Sequence, residues 1–185
     1  WVKTLPLYRT LIFDEQTINS KLISDAYKMF QKVSTADETA RFLARMVRQL
    51  ENDDESIKYL RTLIELRLEI GDQIGAEAAV RDLLTKHPGD NFALEKLSNL
   101  LRDSPKRQKE FLDTLEMRRS IARNQKDIPL FQAITHEIAD QWSRKGKDAR
   151  VVDLLKTSLS DFHDDEKAVS RIVEIYRNGR RFRDW

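Results

Sequence analysis

The chain has no cysteine in its 185 residues. Disulfides, thiolate metal sites and cysteine nucleophiles are therefore excluded, and the absence is compatible with an intracellular home, cytoplasmic or nuclear. Glycine and proline are sparse, five and four residues, and β-branched alternation is scarce, so helices are expected throughout. No apolar run approaches the ~20 residues that a membrane span needs. No secretory signal is recognisable either: Trp1–Phe13 is apolar but broken by Lys3, Pro6 and Arg9, and lacks a small-residue cleavage site. A large excess of one charge is also missing. Lys+Arg 33 against Asp+Glu 31 leaves a net charge of +2, whereas a dedicated DNA binder carries a clearer basic surplus. What is abundant is charge of both signs, 35% of residues, beside 40% apolar residues. The length suits one or two ordinary domains or a single stack of about four to five helix pairs. The chain starts on Trp1 and stops at Trp185, where a new helix should begin, and is expected to be a piece of something longer.

Apolar residues recur at three- and four-residue steps along most of the chain. Ile18 to Val33 forms one such stripe. Ser34-Thr35 supplies a cap for a second, holding Ala40, Leu43, Met46, Val47 and Leu50. The acidic run Glu51–Glu55 reads as a turn before a helix from about Ser56 to Ile70, followed by another from Gln73 to Lys86. Asp90 caps a helix over Phe92–Arg102, Asp103-Ser104-Pro105 breaks it, and a longer helix runs from Lys106 to about Asn124. Its buried side is expected at Phe111, Leu112, Leu115, Ile121 and Ala122. Asp127-Ile128-Pro129 starts a helix through Trp142, and Lys145–Asp148 turns it into Ala149–Phe162. The final helix, from Glu166 to about Arg177, presents Val169, Ile172, Val173 and Tyr176.

Ile57–Pro88 is the most informative stretch. An apolar helix with Leu60, Leu63 and Arg67 leads to a Gly71-Asp72 turn, then to a small-residue helix with Ala76, Val80 and Leu83 that stops at Pro88. This unit resembles a tetratricopeptide repeat (TPR), a helix–turn–helix of about 34 residues that stacks on its neighbours. Arg67 departs from the pattern, standing where the family has an aromatic residue. Ile138, Ala139, Trp142, Gly146, Val151 and Leu155 repeat the spacing, with His163 in the place of the proline, while Tyr176 and Gly179 begin another unit. The pair from Asn91 to Asp127 is longer and lacks the turn glycine, and the pair from Ile18 to Asp53 matches more weakly. The resemblance implies an all-α, right-handed superhelical solenoid of about four and a half antiparallel helix pairs. An apolar cap or segment at 1–15 would precede a repeat domain at 16–185.

In this family the first helix of each pair lines a concave groove. The register then directs Arg61, Glu65, Asn99, Arg102, His136, Asp140, Arg144 and Arg177 towards a partner, with Lys58, Glu95, Ser143, Lys167, Ser170 and Glu174 beside them. Their mixed signs suit a protein or peptide ligand better than a polyanion. A clamp for a terminal carboxylate is not expected, because Glu65 and Asp140 would repel the ligand. His136-Glu137-Ile138-Ala139-Asp140 has two metal-ligand types on one helical face but no third ligand, and reads as polar residues on the open side of a solenoid helix. Gly71–Ala76 lacks the strand and the lysine–serine pair of a phosphate loop. No catalytic arrangement, metal or cofactor is expected. The function implied is a non-catalytic protein-interaction scaffold within a larger protein or complex. Two alternatives remain open. One is an RNA-associated module using basic surfaces at 106–126 and 177–183, where Phe182 could stack on bases. The other is an intramolecular regulatory module of a larger enzyme.

Overall fold

Helical spacing in the sequence becomes helix in space almost everywhere. The computed structural model describes residues 20–48, 50 and 53–179. The apolar segment 1–15, Ile18 and the Arg180–Trp185 end lie outside the described residues. The described residues form nine α-helices and one 3-10 turn, with no strand among them. The chain divides between Leu100 and Leu101 into two compact units.

The first unit holds α1 (Ser20–Val33), α2 (Ala36–Val47), α3 (Asp53–Glu69), α4 (Gln73–Lys86) and α5 (Asn91–Leu101), whose last residue opens the second unit. After the 3-10 turn Pro105–Arg107, the second unit holds α6 (Gln108–Gln125), α7 (Ile128–Ser143), α8 (Asp148–Asp161) and α9 (Glu166–Asn178). Successive helices pack on one another from α1 to α4 and again from α6 to α9. Short turns make such neighbours antiparallel.

The helix starts follow from capping chemistry. Thr35 and Glu38 form a reciprocal capping box at α2. Asp72, Asp90, Asp127 and Asp165 accept backbone N–H bonds from Gly75, Ala93, Leu130 and Ala168. The helix ends repeat one geometry too. Gly71 and Gly146 take φ of +77° and +64°, and Lys126 takes +56°. At all three the next residue donates back five positions: Asp72 to Arg67, Asp127 to Ala122, and Lys147 to Trp142, at 2.8, 2.9 and 3.0 Å. This is the closure that satisfies last-turn carbonyls. Within the pair that lacks a turn glycine the helices are joined instead through the 3-10 turn Pro105–Arg107, and Lys126 puts the left-handed closure at the end of its second helix.

Burial follows the stripes. In the first unit Ile23, Phe30, Leu43, Met46, Leu60, Ile64, Val80 and Leu83 are buried, with Ala76 fully enclosed at the helix contact. Phe30 stacks on Phe42 with ring centroids 4.3 Å apart. Tyr27 and Tyr59 meet edge-on at 6.0 Å. Burial is the main cause that pushes both phenols above the ordinary 10.0; for Tyr59 a Ser24 hydrogen bond opposes it. In the second unit Phe111, Leu115, Phe131, Ile134, Ile138, Val151, Leu155 and Ile172 form the core. Phe131 meets Phe162 edge-on at 5.0 Å.

Three expectations need correction. The helix placed from Ser56 begins at Asp53, because acidic residues sit well inside a first turn as well as before it; Ser56 is fully buried. Val169 is 45% exposed, and the buried face of α9 runs instead through Ala168 and Ile172, four residues apart. Leu112 and Ile121 are half-buried rather than core. At the departure from the repeat pattern, Arg67 lies 3.6 Å from the Asp72 carboxylate, over the Gly75 backbone. A Cβ on residue 75 would meet the ends of both side chains, which would have to swing aside.

Candidate functional site: a charged cleft on the second unit

Three residues on α7 define the site by spacing alone. His136, Asp140 and Arg144 (the residue that ends the helix) fall four apart and so share one row. Ile134, Ile138 and Ala139 bury the other side of the helix. Lys167 approaches from the first turn of α9, and Arg102 with Asp103 follows the end of α5. Together with Ala133, Glu137 and Gln141 they line a cleft of about 540 Å³.

Polar contacts organise its walls. Arg102 Nη2 lies 2.7 Å from Glu137 Oε1. Arg171 of α9 reaches across to α7, donating from Nη1 to Asp140 Oδ1 at 2.5 Å and from Nη2 to Ser143 Oγ at 2.9 Å. His136 is only 7% exposed. Its Nε2 lies 3.0 and 3.1 Å from the two oxygens of Asp165, itself buried, so this nitrogen carries the proton and donates. The first unit has the same device. Asp90 caps α5 and also accepts from Arg61 Nη2 at 2.7 Å. In both cases one carboxylate starts a helix and holds a side chain 29 residues upstream.

Recurrent pairs, caps and left-handed turns are the marks of a helical repeat. A solved structure, "MamA RS-1 ArsTM double mutant", is similar to the chain with a TM-score of 0.50 at 15% identity, covering 89% of this chain and 87% of that one. MamA contains TPRs. The fold is a TPR-like helical solenoid. No known protein-family model matches the sequence, and no curated protein matches it.

Of the residues that a TPR-like register directs to a partner, the structure brings Arg102, His136, Asp140 and Arg144 to one cleft. Arg61, Glu65 and Asn99 belong to the first unit, where all three are exposed. Arg177 is exposed at the end of α9 and does not line the cleft. His136 is buried, which corrects its reading as an open surface residue: Asp165 draws it into the helix contact. His136 and Asp140 also turn to different partners, Asp165 and Arg171. Among the described residues no group of three or more His, Asp or Glu could hold a metal ion. No described helix is long and apolar enough to cross a membrane.

The basic stretch 106–126 looks different in three dimensions. Arg118 is buried, Arg107 pairs with Glu110, Arg123 with Asp161, and Arg119 with Glu116 while lying over the Phe131 ring. Lys106, Lys109 and Lys126 remain exposed. Of the 177–183 stretch, Arg180, Arg181, Phe182 and Arg183 lie outside the described residues. The sequence reading missed Asp165 and Arg171. The first had a signal: Asp165-x-x-Ala168 repeats Asp90-x-x-Ala93. The second had none, since an arginine 31 residues from Asp140 marks no local pattern.

Proposed function

We propose that this chain is a non-catalytic binding scaffold whose first helices hold a peptide or an extended segment of a partner protein. The observation that carries the reading is the meeting of Arg102, Asp140 and Arg144, all expected on the partner face and all exposed, at one cleft of about 540 Å³, with the buried His136 beneath them. That volume lies within the roughly 300–1,000 Å³ typical of ligand clefts. Within the second unit Arg177 would extend the contact, and on the first unit Arg61, Glu65 and Asn99 would form a partner face of their own. The TPR-like fold favours the same reading. The RNA-associated alternative has less support, because Arg118 is buried and Arg107, Arg119 and Arg123 are paired with carboxylates of the protein itself. The scaffold requires no cofactor and no chemical step.

Selection of random displayed peptides on the intact chain tests the proposal. The selected peptides should lose about tenfold or more in affinity on Ala133→Trp, which fills the cleft, and on Arg144→Glu. Both positions are exposed, so melting temperature should hold. Selection without binders, or binders indifferent to both substitutions, would overturn the reading.

A further inference from the structure

Charge inside the cleft is not evenly available to a ligand. Asp140 is held by Arg171, and Glu137 lies against Arg102. Asp165, behind His136, is committed to that ring and to the Ala168 amide. These three carboxylates are therefore already matched by groups of the protein itself. Arg144 and Lys167 are exposed and have no ion-pair partner among the described residues. They stand on different helices and line the same cavity. The remaining carboxylate is Asp103, exposed at the rim formed after α5.

We propose that the cleft takes a carboxylate-rich segment of a partner protein, gripped by Arg144 and Lys167. The inference rests on the scaffold reading and names the chemistry of what the scaffold holds. It reverses the expectation that Asp140 would repel an acidic ligand. Arg171, supplied by the following helix, removes that repulsion and leaves two cations facing a ligand. A guanidinium can take a carboxylate through two parallel N–H bonds, and an ammonium adds a point charge beside it. A neutral or basic segment would leave both cations without counter-charge, whereas an acidic one matches them and meets opposition only at Asp103.

The test is fluorescence anisotropy with a short fluorescein-labelled glutamate-rich peptide and its glutamine counterpart, on the full chain. The glutamate peptide should bind about tenfold or more tightly than the glutamine peptide and weaken as salt rises. Arg144→Glu combined with Lys167→Glu should abolish that preference, and Asp103→Asn should strengthen it. Lys106→Glu with Lys109→Glu makes the same charge change on the exposed 106–109 surface and should leave affinity within about twofold. Equal binding of the two peptides, or equal loss in the control variant, would overturn the proposal. So would a single-stranded RNA that binds through Arg144 and Lys167 more tightly than the peptide. If displayed-peptide selection yields cleft binders that are not acidic, the scaffold reading stands and the acidic occupant alone falls.

Discussion

Replacing Asp165 by alanine removes two bonds with one substitution. The Ala168 amide loses its cap, and the buried His136 ring loses its partner. Cap removal costs about 1 kcal/mol and an unpaired buried polar group about 1–3 kcal/mol, so Asp165→Ala should destabilise the chain by ~2–4 kcal/mol. Asp165→Asn, which keeps an acceptor for Ala168, should lose less. Urea denaturation of the two variants checks the order, and equal losses would show that the cap contributes nothing. The sequence disclosed this site only halfway. His136, Asp140 and Arg144 were legible as one row because helical spacing is local. Their partners Asp165 and Arg171 were not, because they arrive from a helix 29 and 31 residues away. The pairing of Asp140 was hidden for the same reason: a carboxylate read alone looks unmatched until the arginine beside it is known.

At the level of elements, the turn at Lys126 bears a strain that the turns at Gly71 and Gly146 avoid. A side chain in the left-handed region meets the following carbonyl, and glycine does not. Lys126→Gly should therefore raise stability by about 1 kcal/mol, read as a higher denaturation midpoint with unchanged slope. A lower midpoint would mean that the lysine side chain contributes more than its backbone strain costs. The packing of α1 against α3 gives a second prediction. Burial raises the phenols of Tyr27 and Tyr59 above 10.0, so the fold favours their protonated forms. Their contribution is fully present below about pH 10 and is lost as pH rises through the folded values. The melting temperature should fall above that pH, and less steeply in Tyr27→Phe and Tyr59→Phe variants; an identical slope would refute the assignment. Helix starts marked by Thr35, Asp72, Asp90 and Asp127 were readable because capping needs a particular side chain at a particular place. The start of α3 was not, since Asp53, Asp54 and Glu55 suit a turn and a first helical turn equally well.

Across the whole molecule, the repeating pattern was legible because each helix pair must bury its apolar face on a neighbour, which forces the same stripe to recur. Ala76 and Ala139 marked the close helix contacts correctly, and both are fully buried. The division of the chain at Leu100 was not legible: Leu97, Leu100 and Leu101 continue an unbroken apolar pattern on α5. The doubled use of Asp90 and Asp165 has a consequence for hydrogen exchange. Amides in a first helical turn ordinarily lack an internal acceptor and exchange early. Here the Ala93 and Ala168 amides are bound at 2.9 Å to carboxylates that Arg61 and His136 also hold, and both alanines are fully buried. Releasing either amide to deuterium means parting two helices rather than fraying one. Those two N-termini should exchange on the slow timescale of the core, while the first-turn amides of α6, which has no side-chain cap, exchange quickly.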